Sequence, residues 1–258
     1  MKRLIIILLF VICYLLFVPK ALADQTPYFS DYNFQLDQYR KNYAEYQNFK
    51  NDYLAHPTLD NEQKAILSAK QTISARELAW ANFILVLSDS ISSTGISYPL
   101  SDNAKADLAA IAKYHFGQAT AVGSVVTRAD LTTFTKNELK VTATHKLALT
   151  QAQVANKLVQ LINFQTDAKA AYDSLMPKLT AVTDEVSVKN GLDQIQTSSV
   201  QINDQISTLA KKTSDLNVDQ FSVDQFYSNS SEILIQIRAG INRLVNIIID
   251  LDTNYVRH

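Results

Sequence analysis

The sequence is poor in the residues that punctuate or staple a fold. Its 258 residues include five glycines, five prolines and one cysteine. A sandwich or barrel needs turn residues every ~8–12 positions, so this scarcity excludes an all-β chain. A single cysteine excludes a disulfide framework within the chain. Charge of one sign is also missing: 24 basic residues stand against 25 acidic ones, a formal net charge of −1. The charges are dispersed, which argues against a nucleic-acid surface, and no polybasic segment is present for anionic lipid. The catalytic signatures G-x-S-x-G, G-x-x-x-x-G-K-[ST] and G-x-G-x-x-G do not occur.

What the sequence does carry begins with an export signal. Lys2 and Arg3 precede an apolar run from Leu4 to Val18, and Ala21-Leu22-Ala23 supplies an A-x-A site before Asp24. This order predicts a signal peptide over 1–23, cleaved after Ala23, and a secreted or cell-surface destination. The run is shorter than the roughly 20 residues of a membrane span; retention as an anchor is the alternative. Cys13 lies inside the run behind bulky Phe10-Val11-Ile12, a poor lipoprotein cleavage site. The remaining chain shows no transmembrane segment, since its most apolar stretches are interrupted by charges such as Arg238, Arg243 and Asp250.

Beyond the leader, apolar residues recur in steps of three and four, the period of a helix. Residues 28–55 place Tyr32, Leu36, Tyr39, Tyr43, Tyr46, Phe49 and Tyr53 on one face. A second helix is expected over 59–93, capped by Thr58 or Asp60, with Ile66, Ala69, Ile73, Trp80, Phe83, Ile84, Leu87 and Ile91 as its stripe. The short link at Pro57 predicts an antiparallel hairpin. Further helices are expected from Ser101, as N-cap, to 121; from about Asp130 to Met176; over 178–213, with a break at Gly191; and over 219–256. The last carries Leu234, Ile237, Ile241, Leu244, Ile248, Leu251 and Tyr255 in alternating steps of three and four. That seam suits either a coiled coil, and so self-association, or an antiparallel partner within a bundle. The expected fold is all-α, an elongated bundle of about six helices ending in a coiled-coil-like pair. The expected domains are a unit over 24–122 and a long-helix unit over 124–258, with a hinge or boundary in the small-residue stretch 118–127.

No reactive constellation stands out. His56, His115, His145 and His258 show no H-x-x-x-H spacing. A lone helical histidine is more often packed than ligating, and zinc wants three or four ligands, so no metal or cofactor is expected. Asp250 and Asp252 do not share a helical face, and Asp184-Glu185 reads as a solvated pair. A carboxylate pair assembled from two helices stays open. No catalytic residue is expected and the chain reads as a non-enzyme. The compositional oddity is aromatic: nine Phe and Tyr residues fall between Tyr28 and Tyr53. Most follow the helical stripe and read as core; Tyr28 and Phe34 fall off it and are the candidate contact residues.

Residues 28–80 resemble uncharacterised exported helical proteins of small-genome bacteria. The resemblance rests on Tyr28-Phe29-Ser30-Asp31-Tyr32, Tyr39-Arg40-Lys41-Asn42-Tyr43 and Ser74-Ala75-Arg76. It implies helices and export, and carries no activity. The leading functional expectation is a scaffold or adhesin-like protein that contacts another protein, an envelope component or itself. The alternatives are an extracellular small-ligand-binding or sensor bundle, a membrane-active helical protein and, last, an enzyme with carboxylates gathered between helices.

Overall fold

A computed structural model describes residues 27–217 and 223–256. The expected leader over 1–23, Cys13, His258 and the expected start of the last helix at 219 lie outside these residues. Six α-helices fill the described chain: α1 (Pro27–Ala55), α2 (Leu59–Ser92), α3 (Pro99–Ala121), α4 (Arg128–Leu179), α5 (Val186–Ser214) and α6 (Val223–Tyr255). A 3-10 turn, Val122–Ser124, follows α3, and no strand occurs among the described residues. The all-α class and the helix count are those expected. No helix among the described residues is long and apolar enough to cross a membrane.

Local chemistry explains the ends. Thr58 caps α2 by accepting a hydrogen bond from the Asn61 N–H (3.2 Å). Pro99 opens α3 at a first helical position that needs no N–H. Ser101 is therefore not the N-cap; it lies within the helix, buried, its Oγ donating to the Tyr98 carbonyl. Gly95, between α2 and α3, holds φ at +67°, a left-handed conformation that favours glycine. Thr127 and Asp130 form a reciprocal capping box before α4. The Thr127 N–H reaches Asp130 Oδ2 (2.9 Å), and the Asp130 N–H reaches Thr127 Oγ1 (3.1 Å). Pro177 does not end α4 at once: the helix runs to Leu179.

The helices group into two compact units. The first takes the residues up to Ser93 with Lys105–His145; the second takes Thr94–Ala104 and the residues from Lys146 onward. In the first, α1 and α2 form an antiparallel hairpin. Tyr32 meets Phe83, and further along Asn42 donates to the Gln71 carbonyl. Helix α3 runs antiparallel to α2, with Ser74 bonded to the Ala119 carbonyl and Glu77 to His115. The 118–127 stretch lies inside this unit. Val122 and Val125 are buried with Ile73, and Lys70 Nζ donates to the carbonyls of Gly123 and Val125. It is a packed turn, held against α2 by the two valines and the Lys70 hydrogen bonds.

In the second unit, α5 runs antiparallel to both the later part of α4 and α6. Gln151 bonds the Thr213 carbonyl and Gln165 bonds Asn203. Along the α5–α6 pair, position climbs from Ser187 through Gly191 to Ile202 while the partner descends from Tyr255 through Leu251 to Gly240. The expected seam faces inward here. Ile237, Ile241, Leu244, Ile248 and Leu251 are buried, and Leu234 and Tyr255 are half-buried at its ends. Helix α5 covers this face. Gly191 does not break α5. A Cβ there would lie 3.1 Å from Leu251, and one at Gly240 would lie 3.0 Å from Ile202. Both glycines let the two backbones come close.

Candidate functional site

Helical periodicity places four titratable side chains at one point of the first unit. On α2 the buried stripe reads Ile66, Ala69, Ile73, Glu77, Ile84, so Glu77 occupies a core position. On α3, Ala104, Leu108, Ile111 and His115 are buried in steps of four, three and four. On α4, Glu138 and His145 are two turns apart on one face. Glu77 is 1% exposed, His115 8% and Glu138 9%; His145 is half-buried.

Each of these groups has a partner. Glu77 Oε2 lies 2.6 Å from His115 Nδ1. Glu77 Oε1 accepts from Arg76 Nε (2.8 Å) and Nη2 (2.5 Å), a bidentate guanidinium pair. Tyr114 donates its hydroxyl to Glu138 Oε1 at 2.6 Å. Glu138 Oε2 has only the Arg76 guanidinium, at 3.9 Å. Aromatic rings enclose the group. Trp80 stacks on His115 at 6.1 Å between centroids, and His145 meets the edges of Tyr114 (4.9 Å) and His115 (5.2 Å).

These contacts separate the two carboxylates electrostatically. Burial is the largest influence on Glu77 and raises its pKa. The His115 hydrogen bond and the charge and hydrogen bond of Arg76 together outweigh it, leaving the carboxyl below its ordinary value. Burial likewise pushes Glu138 up. There the Tyr114 hydrogen bond and the distant Arg76 are too weak to reverse it, and the negative Glu77 adds to the rise. Burial and the hydrogen bond to Glu138 push the Tyr114 phenol far up, so it stays a donor. Burial and the neighbouring His115 lower the pKa of His145.

The cluster can therefore hold an ionised carboxylate next to a second, poorly compensated one. An imidazole nitrogen of His115 and one carboxylate oxygen each from Glu77 and Glu138 lie within 4.8 Å of one another, a spacing able to surround a cation. Sequence reasoning noted His115 and His145 only as separate helical residues, named Arg76 only within Ser74-Ala75-Arg76, and did not name Glu77, Glu138 or Tyr114. The available signal was Glu77 itself, a charge on the apolar stripe of α2.

The expected contact residues lie on α1. Tyr28 is 39% and Phe34 59% exposed. The aromatic stripe of α1 is not core: no residue of that helix is buried, and Tyr43 is exposed. Large rings with hydroxyl tips stay half-wet when one helix covers them from one side. Between α1 and α2 lies a groove of about 270 Å³, lined by Tyr32, Leu36, Tyr39, Arg76, Ala79, Trp80 and Phe83. Comparison with protein-family models, curated proteins and solved structures gives no match to this chain.

Proposed function

We propose that this chain is an exported helical protein that works by contact, with the aromatic face of the α1–α2 hairpin as its binding surface and a protein as its partner. The observation that carries this reading is the incomplete burial of α1: a 29-residue helix rich in Tyr and Phe that buries none of its residues. Exposed Trp80 lines an open apolar groove and exposed Tyr43 meets Tyr39 of its wall, while exposed Phe34 lies elsewhere on α1; such aromatic anchors dominate protein interfaces. The groove volume is slightly below the ~300–1,000 Å³ range of pockets that enclose small ligands. It suits one or two side chains of a partner, which favours protein contact over a small-ligand sensor. The leader-like residues 1–23 and the resemblance of residues 28–80 to exported proteins support the destination.

Recovery of envelope and secreted proteins on the immobilised chain tests the reading. The comparison is with a variant carrying Phe34→Ser, Tyr43→Ser and Trp80→Ser at unchanged helicity. Selective loss of a recovered protein in the variant is the expected result; equal recovery overturns it. N-terminal sequencing of exported chain should begin at Asp24.

A further inference from the structure

We propose that Glu77, His115 and Glu138 form a binding site for one divalent first-row transition-metal ion, held between α2, α3 and α4. The donor set is one imidazole and two carboxylates from three different helices, with the donor atoms within 4.8 Å of one another. Zinc bonds of about 2.0–2.2 Å in tetrahedral array put neighbouring ligand atoms about 3.4 Å apart. Side-chain adjustments of an ångström or less therefore bring the three atoms onto one ion. The ion takes the place of the hydrogen bond between Glu77 Oε2 and His115 Nδ1, which part by several tenths of an ångström.

Three further observations point the same way. The outer partners of a metal site are already built: Arg76 holds Glu77 Oε1, Tyr114 holds Glu138 Oε1, and Trp80 stacks on the His115 ring. Such partners orient ligands and tune their basicity. The Glu138 side chain is 11% exposed, and its Oε2, open to solvent, makes no hydrogen bond and sees a cation only at 3.9 Å. That oxygen is free to take an ion without giving up a hydrogen bond, and it is reachable from solvent. Access exists as well, because the open groove beside α2 is lined by Arg76 and Trp80, which flank Glu77 and touch His115 respectively. Imidazole suits zinc, iron and copper, and carboxylates suit manganese, so Zn²⁺ and Mn²⁺ bracket the choice.

The test is calorimetric titration of the metal-free full chain with Zn²⁺ and, separately, with Mn²⁺, together with melting curves. One equivalent of at least one ion should bind, and it should raise Tm as a native-state ligand does. Folded His115→Asn and Glu138→Gln variants, verified by circular dichroism, should each lose tenfold or more in affinity. His56→Gln, in the loop before α2, should bind as the parent does. Glu77→Gln is less informative, since it also releases Arg76. The proposal is overturned if neither ion binds saturably, if folded His115→Asn and Glu138→Gln bind like the parent, or if His56→Gln abolishes binding.

Discussion

The α1–α2 and α5–α6 pairs are both antiparallel hairpins written with steps of three and four, and their interiors differ completely. In α5–α6 the stripe is Ile and Leu, and two glycines bring the helices together; Ile237 and Ile241 have no exposed surface. In α1–α2 the α1 stripe is Tyr and Phe, and no residue of α1 is buried. Periodicity alone says which way a side chain faces. Side-chain shape and the number of covering helices decide how deeply it goes. The α5–α6 pair closes its own seam, whereas the aromatic pair leaves its rings partly open to solvent. A second contrast lies within the first unit, where α2 turns an apolar stripe toward its neighbours but sets Glu77 in the middle of it.

Substitutions can break this comparison, beginning with the seam. Ile241→Ala should cost about 2–5 kcal/mol of unfolding free energy by removing buried methyl groups and leaving a cavity. Tyr39→Ala on α1 should cost about 1 kcal/mol, in line with its half-buried place. Urea denaturation of both variants checks the ratio; equal losses would erase the distinction between the pairs.

The polar position on α2 comes next. Glu77→Gln keeps the size of the side chain but removes the charge facing Arg76 and His115, and should cost about 1–3 kcal/mol. Thermal unfolding at neutral pH measures it. A stabilised variant would mean that Glu77 is retained for binding alone.

The glycines sharpen the contrast with opposite signs. Gly240→Ala should destabilise by about 1–2 kcal/mol, because its Cβ meets Ile202 in a closed seam. Gly117→Ala on α3 meets nothing within 4 Å and should stabilise by about 0.5–1 kcal/mol. Chemical denaturation of the pair decides whether close approach or helix propensity governs each site.

The smallest effect is in pH. His145 has a lowered folded pKa, so the fold disfavours its charged form and stability falls as pH drops below the ordinary histidine value of 6.5. Glu77, with a lowered folded pKa, contributes stability above its unfolded value of 4.5, and that contribution is lost as pH falls through the lower folded value. Glu138, with a raised folded pKa, has the opposite sign: acid relieves its burial. The denaturation midpoint should fall between about pH 7 and pH 5.5, and His145→Gln should flatten that interval.

Much of the architecture could be read before any coordinates. Ala-, Leu- and Ile-rich stripes with few glycines and prolines predict six helices and both hairpins, since helical pitch is a local property that repeats along the chain. The ends were less secure. Pro99 proved to open α3, and Gly191 is a close-approach residue rather than a break; both depend on what the neighbouring chain does. The seam from Leu234 to Tyr255 was visible as a pattern, and the fold shows α5 covering it.

The candidate site was the least accessible part. Glu77, His115 and Glu138 are 38 and 23 residues apart along the chain, and no local spacing links them. What the sequence by itself determined is the helical period and the placing of charged residues on apolar faces, because both follow from one turn to the next. What only the tertiary structure decided is which helix lies against which. A carboxylate becomes an ion-pair partner or a ligand through its distance to groups on other helices.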